Sequence, residues 1–257
     1  MPLGVAALRQ SAGGAAKDSM EETMTTKTRA LIVGATSGIG RRIAHVLASR
    51  GEDVVVTGRD QGRADAAAAE IVGRHRGLTL DLTRPEEIAD RLANIGPINH
   101  LVLAAVERDR NSVRSYDIGR AIRLITLKVV GYTAVVHALA AQFVPDASIV
   151  ILGGMARDWP YPGSTTITMA NGAVTSMVRT LAVELAPVRV NAIHPGAVGD
   201  SPAVSEMPPA LIEAARARTP TGRLATMDNV AAAALSLLDN PGINGVNLPV
   251  DGGFLLK

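Results

Sequence analysis

The chain contains no cysteine in 257 residues. That excludes disulfides and thiolate-bound metal sites, agrees with a reducing compartment, and gives a cytoplasmic location as the expectation. Aromatic residues are nearly as scarce, with two Phe, three Tyr and one Trp, so the core has to be packed from Ala, Val, Leu and Ile. No uninterrupted apolar run approaches the ~20 residues that span a bilayer, and no membrane partner is expected. Charged residues make up only 19%, and 26 basic side chains face 24 acidic ones. No basic stripe interleaved with aromatics occurs, which removes nucleic acid as a partner. The histidines His45, His75, His100, His137 and His194 have no ligand spacing, so no metal is expected. What the chain has in quantity is apolar side chains, at 47%. That excludes a disordered protein and suffices for one full core.

Residues 1–28 are rich in Ala, Gly, Ser and Thr, include Met20 and Met24, and have no apolar segment of signal-peptide length. They are expected to form a disordered N-terminal extension ahead of a single domain over 29–257. From Arg29 the pattern changes. Ala30–Val33 reads as a buried strand, followed by the loop Gly34-Ala35-Thr36-Ser37-Gly38-Ile39-Gly40 and a helical spacing of Ile43, Ala44, Val46 and Leu47. Further strands are expected at Val54–Thr57, Leu78–Leu80, Leu101–Ala104, Ser148–Leu152, Val188–Ile193 and Gly245–Val250. Helical stretches fall at Arg63–Val72, Pro85–Ala93, Arg120–Phe143 and Thr168–Ala186. Alternating strands and helices imply right-handed crossovers and a doubly wound parallel sheet of Rossmann type, class α/β.

The glycine loop carries the first chemical signal. A helix N-terminus presents unpaired N–H groups and a partial positive charge to a phosphate, and glycines permit the close approach of a pyrophosphate. The spacing G-x-x-x-G-x-G, with Val33 before it, resembles the phosphate loop of the short-chain dehydrogenase/reductase family. Asp81-Leu82-Thr83 is similar to that family's adenine-holding motif. Val190-Asn191-Ala192-Ile193-His194-Pro195-Gly196 is similar to its stretch beside the nicotinamide, and Pro220–Arg223 and Val250–Gly253 to its closing segments. The resemblance runs collinearly from about Thr28 to the C-terminus. It implies a coenzyme held by Gly34, Thr36, Ser37, Gly38, Ile39, Gly40, Asp81, Leu82, Ala104, Ala105, Pro195, Gly196 and Val198, and a homo-oligomer, tetramer or dimer, built through the long middle helices.

Coenzyme choice is read at the end of the second strand. NAD-binding folds place a carboxylate there for the ribose 2′-OH. Here Gly58 takes that position and Arg59 follows. A guanidinium binds a 2′-phosphate in a bidentate fork, so NADP(H) is expected, with Arg59 as the phosphate ligand. A solvated Arg59 neutralised by Asp60 is the alternative.

At the positions where the family places its Ser, Tyr, Lys and Asn, the resemblance puts Gly154, Ile167, Asn171 and Lys128. None of the four is the family's residue, and isoleucine transfers no proton. Two substitutes present themselves. Lys128, in an apolar setting, can have a lowered pKa and donate a proton; a lysine snorkelling at a subunit interface is the other reading. Tyr161, within Asp158-Trp159-Pro160-Tyr161-Pro162, belongs to a stiff stretch expected to roof the substrate. A lid is expected at about 201–222, where Met207, Leu211 and Ile212 point to a small apolar substrate and Ser201 is a candidate contact to the nicotinamide carboxamide. Three functions stay open. The first is an NADP(H)-dependent oxidoreductase on a carbonyl, enone or alcohol with a nonstandard proton donor. The second is a non-redox cyclase, dehydratase or isomerase that keeps the coenzyme as a structural element. The third is a catalytically dead binding protein.

Overall fold

Seven strands hydrogen-bond into one parallel sheet in a computed structural model that describes residues 28–73 and 75–256. The extension expected at residues 1–28 lies, Thr28 aside, outside the described residues. In chain order the elements are β1 (Arg29–Val33), α1 (Gly38–Ser49), β2 (Asp53–Gly58), α2 (Gln61–Ala69), β3 (Arg76–Thr79), α3 (Ile88–Leu92), β4 (Ile98–Leu103), α4 (Ile118–Ile125), α5 (Gly131–Leu139), β5 (Phe143–Leu152), α6 (Thr165–Glu184), β6 (Arg189–Pro195), α7 (Pro202–Ser205), α8 (Pro209–Arg218), α9 (Met227–Asp239) and β7 (Asn247–Val250). The strand order is β3-β2-β1-β4-β5-β6-β7.

Successive side chains of a strand point to opposite faces, so a strand covered on both sides must be apolar throughout. In β1, Leu31 and Val33 join Tyr132, Val135 and Leu139 of α5 and Val174 and Val178 of α6. Ala30 and Ile32 face the other way, against Ile43 and Leu47 of α1 and Val230, Ala234 and Leu237 of α9. The chain adds strands outward in one direction from β1 to β3 and in the other from β4 onward, so the winding reverses between β1 and β4. Their carboxyl ends form the switch point at which folds of this kind open a crevice.

Three elements differ from the sequence expectation. The helix expected to run to Phe143 ends at Leu139, because the Gln142 N–H closes a turn on the Leu139 carbonyl at 2.7 Å and Phe143 pairs with Ile98 as the first residue of β5. The register then shifts before Ser148 pairs with His100. Pro145, which has no N–H to give a ladder, lies inside that shift. The second difference is a π-helical turn at Thr126–Val130, which joins α4 to α5. The third is α9, which was not expected from the sequence. It starts at a reciprocal cap between Thr226 and Asn229, and its C-terminal carbonyls, Leu237 and Leu238 among them, are held by the Arg189 guanidinium. Ile118–Leu139 has the length and apolarity of a bilayer span, yet it carries Arg120, Arg123 and Lys128 and buries Tyr132, Val135 and Leu139 against the sheet.

Candidate coenzyme and active site

At the switch point the end of β1 turns sharply into α1. Gly34 has φ of +84°, and a Cβ there would lie 2.5 Å from the backbone N and Cα of Ala105. Only glycine lets the two loops meet so closely. The Ser37 side chain makes no capping bond and no acidic residue occupies the first turn of α1. The N–H groups of that turn are therefore left for an anion. A cavity of about 490 Å³ opens over them, walled by Gly34–Gly40 without Ala35, by Gly58–Asp60 and Arg63, by Ala104–Val106, by Leu127 and Lys128, by Leu152 and Gly153, and by Pro195–Val198 with 201–204. The structure thus brings Gly34, Thr36, Ser37, Gly38, Ile39, Gly40, Arg59, Leu82, Ala104, Ala105, Pro195, Gly196 and Val198 together around one space. Asp81 faces a smaller adjoining space with Arg59 and Arg84. Its Oδ1 accepts bonds from the Thr83 N–H and hydroxyl at 2.9 and 2.8 Å.

The end of β2 has geometry that the sequence alone did not display. A Cβ at Gly58 would stand 2.5 Å from Thr36 Cγ2, so a side chain of any kind there displaces Thr36. Asp60 does not neutralise Arg59. Its carboxylate caps α2 by accepting the Arg63 N–H at 2.8 Å. The Arg59 partner is Glu107 at 3.8 Å, and Glu107 is already gripped by Arg123 Nε at 2.9 and 3.0 Å. Arg63, overlooked in the sequence, lines the same wall.

Lys128 sits in the π turn and is 1% exposed. Gly131, three residues on, allows the helix to approach the β3–α3 loop: a Cβ there would be 2.6 Å from the Leu82 carbonyl. The close approach carries Lys128 under the cavity. Among the described residues its Nζ has no carboxylate within 4 Å and no hydrogen-bond partner, and the Tyr132 ring centroid is 5.8 Å away. Burial alone lowers its pKa from the usual 10.5 to about 8. Tyr132, fully buried, donates its hydroxyl to the Ala105 carbonyl at 2.5 Å and so fixes the Ala104–Ala105 wall. Its place at i+4 from Lys128 was the one sequence signal for that role.

Gly154 follows β5, and Ile167 and Asn171 are one turn apart on α6. An ideal Cβ on Gly154 would be 2.8 Å from Asn171 Nδ2. Asn171 is buried, and its Oδ1 has no partner among the described residues. Ile167 is half-buried. The three positions therefore converge, and none of their side chains lines the cavity. Beside them, His194 is fully buried. Its Nδ1 lies 3.2 Å from the Gly154 N–H, and its Nε2 lies 2.9 Å from Asn247 Oδ1 and 3.2 Å from an Arg157 guanidinium nitrogen. Burial, with Arg157 and Lys128 nearby, lowers its pKa to about 4.

Tyr161 is exposed and does not line the cavity; burial of part of its ring raises its pKa. Trp159 secures the lid instead of stacking over the cavity. The Arg218 guanidinium, at the end of α8, lies 3.7 Å from the Trp159 ring and 4.8 Å from Phe254. The Ser201 hydroxyl lines the cavity but donates to the Val198 carbonyl at 2.7 Å, so it is committed locally. Leu211 is exposed, Met207 and Ile212 are half-buried, and α8 buries no residue completely.

A glycine loop at a helix N-terminus, at the switch point of a parallel sheet, is a fit for a nicotinamide dinucleotide. Comparison with known proteins decides the family. The family described as enoyl-(acyl carrier protein) reductase matches residues 34–255. The chain belongs to the short-chain dehydrogenase/reductase family. Carbonyl reductase family member 4 of Danio rerio is 30% identical over 236 residues, covering 88% of this chain and 98% of that protein. The structure of 3-ketoacyl-(acyl-carrier-protein) reductase from Brucella melitensis, complexed with NADH, superposes with a TM-score of 0.79 at 27% identity over 89% of this chain and 98% of that one. MalC reductase/Diels-Alderase from Malbranchea aurantiaca superposes with a TM-score of 0.81 at 26% identity, covering 90% and 96%. This short-chain dehydrogenase/reductase is accordingly an oxidoreductase with a nicotinamide dinucleotide as its coenzyme, built on the expected Rossmann-type sheet.

Proposed function

We propose that the protein is an NADP(H)-dependent reductase of small, apolar carbonyl or enone compounds, in which Lys128 takes the place of a tyrosine as proton donor. The observation that carries this reading is a single buried ammonium, without a carboxylate partner, in the wall of the coenzyme cavity. The coenzyme, when bound, supplies hydride. As the carbonyl carbon receives it, the C=O electron pair moves to oxygen. That oxygen takes a proton from Lys128 Nζ, and the neutral amine regains one from water. With Gly154 and Ile167 where the family has a hydroxyl and a phenol, no second acid assists, which favours substrates already polarised toward hydride. Asn171 has the reach to position its neighbours but no charge to lend.

Preference for the phosphorylated coenzyme is supported by Gly58, whose site excludes a carboxylate side chain unless Thr36 moves, and by Arg59 and Arg63 beside it. A non-redox reaction over a retained coenzyme is the second reading; it is favoured by the absence of an acidic or basic side chain at 154, 167 and 171. Association into a dimer or tetramer, and a cytoplasmic location, belong to the same proposal. Isothermal titration tests its first half. NADP(H) should bind more tightly than NAD(H), and Arg59→Ala should remove most of that difference, about 1–3 kcal/mol for a charge-assisted pair. Equal affinities in the wild type would sink it.

A further inference from the structure

The basic residues of this chain are distributed unevenly. Of 26, only Lys17, Lys27, Lys128 and Lys257 are lysines, and Lys128 is the only lysine among the described residues. Everywhere else on the fold a positive charge is an arginine, including the buried or half-buried Arg157, Arg189 and Arg218. Arginine stays charged and is a poor nucleophile, whereas a desolvated lysine loses its proton readily and becomes one. Among the described lysines and arginines, Lys128 is the one nearly sealed from solvent, and it makes no ion pair or hydrogen bond; it lies in a π turn of the kind often found at functional sites.

We propose that Lys128 is a covalent capture site for a small aldehyde or unhindered ketone, which its Nζ holds as an imine. The inference rests on the reading that a carbonyl substrate enters this cavity. The cavity that Lys128 lines is walled largely by apolar side chains and glycines, Leu82, Ala104, Ala105, Leu127 and Gly153 among them, and Asp60 is the one carboxylate in that lining. The lone pair of the neutral Nζ attacks the carbonyl carbon, forming a C–N bond, and the carbonyl electron pair becomes a hydroxyl after a proton moves from nitrogen to oxygen. Loss of that hydroxyl with a proton, as water, gives the C=N bond. Nothing is oxidised or reduced, so no further reactant is needed. An imine acidifies the neighbouring C–H bonds, which is the chemistry a non-redox reaction in this cavity would use. The reductive reading uses the ammonium and this one the free amine. Burial brings the two forms within reach of each other near neutral pH.

The test uses the whole chain with propanal and sodium cyanoborohydride, in the presence of oxidised coenzyme so that no hydride comes from it. Peptide mass mapping then locates the reduced adduct. At about pH 7.5, Lys128 should be labelled at least ~10-fold faster than Lys17, Lys27 or Lys257, because an ordinary lysine is almost wholly protonated there. Its rate should reach half its maximum near pH 8. In Lys128→Arg the residue-128 adduct should vanish while Lys17, Lys27 and Lys257 are labelled at their wild-type rates, with the circular dichroism spectrum reporting an intact fold. Adducts confined to the other lysines or the terminal amine, or equal rates at all sites, would overturn the proposal without recourse to any variant. Coenzyme affinity is measured in the same samples by Trp159 fluorescence. Normal binding without Lys128 labelling defeats this inference alone, whereas absent binding defeats the proposed function.

Discussion

His194 is sealed beneath Gly153 so tightly that a Cβ on that glycine would fall 2.2 Å from its Nδ1. The ring is neutral in the folded state, because its pKa is lowered from 6.5 to about 4, first by burial and then by the Arg157 and Lys128 charges. The folded pKa lies below the unfolded one, so the imidazole contributes no penalty above about 6.5. As pH falls from there to about 4 the unfolded chain takes up a proton that the folded one refuses, and stability falls by an amount on the order of 3 kcal/mol. Urea unfolding across this window should show a shallower acid loss in His194→Gln than in the wild type. Parallel slopes would mean that the folded protein accommodates the imidazolium. At the same scale the sequence was legible where a residue acts through its backbone or identity, as at Gly34, Gly38 and Gly40. It was not legible where the partner is remote. Nothing near Asp60 in the sequence distinguishes a helix cap from a counter-ion, and Ser201 gave no sign that its hydroxyl would be spent on Val198.

Among the elements, the end of β5 and the first turns of α6 meet at Gly154 and Asn171. With 2.8 Å between the Asn171 amide and a Cβ at 154, the two positions are coupled. Gly154→Ser alone should destabilise by about 1–3 kcal/mol through overpacking. In the Asn171→Ala background the same change should cost markedly less, giving an interaction energy above the ~0.5 kcal/mol expected of independent sites. Additive losses in a double-mutant cycle would place the side chains apart. The same contact means that rebuilding a serine at 154 requires residue 171 to change with it. The middle helix teaches a related lesson. Its apolar pattern made Ile118–Leu139 legible as a helix, but the π turn leaves no mark in an apolar run. The break at Leu139 depends on Phe143 pairing with Ile98, forty-five positions away in sequence. The capping box at Thr226 and Asn229 was present in the sequence, ahead of an alanine-rich run whose uniformity hid the period of α9.

For the molecule as a whole, the parallel sheet covered on both faces followed from the alternation of strands and helices, whereas the strand order, and with it the switch point, came only from the structure. What binds in the crevice followed from the glycine loop and the collinear motifs. The outer faces of the middle helices leave Ile118, Ile122 and Val130 exposed, together with Met169 and Val183 of α6, Val183 at 79%. α4 packs beside α6, so these side chains belong to neighbouring helices, and a single core does not cover them. Sedimentation velocity at micromolar concentration is expected to show a dimer or tetramer, and Ile122→Glu with Val183→Glu to shift it toward the monomer. A wild-type monomer contradicts this.

The central claim is that Lys128 delivers the proton. A general acid works only while protonated, so the rate it supports is full below its pKa and lost as pH rises through it. Lys128 has its pKa lowered to about 8 by burial. The decisive measurement is the pH dependence of NADPH consumption with a small enone, followed at saturating coenzyme for the wild type and Lys128→Met. The wild-type rate should be level in the acidic range and fall tenfold per unit above about pH 8. Lys128→Met, which removes a desolvated charge and should fold at least as stably, should be slower by about 10²–10⁴-fold and flat across the same range. A methionine variant as fast as the wild type, with the same fall above pH 8, would show that the proton comes from elsewhere.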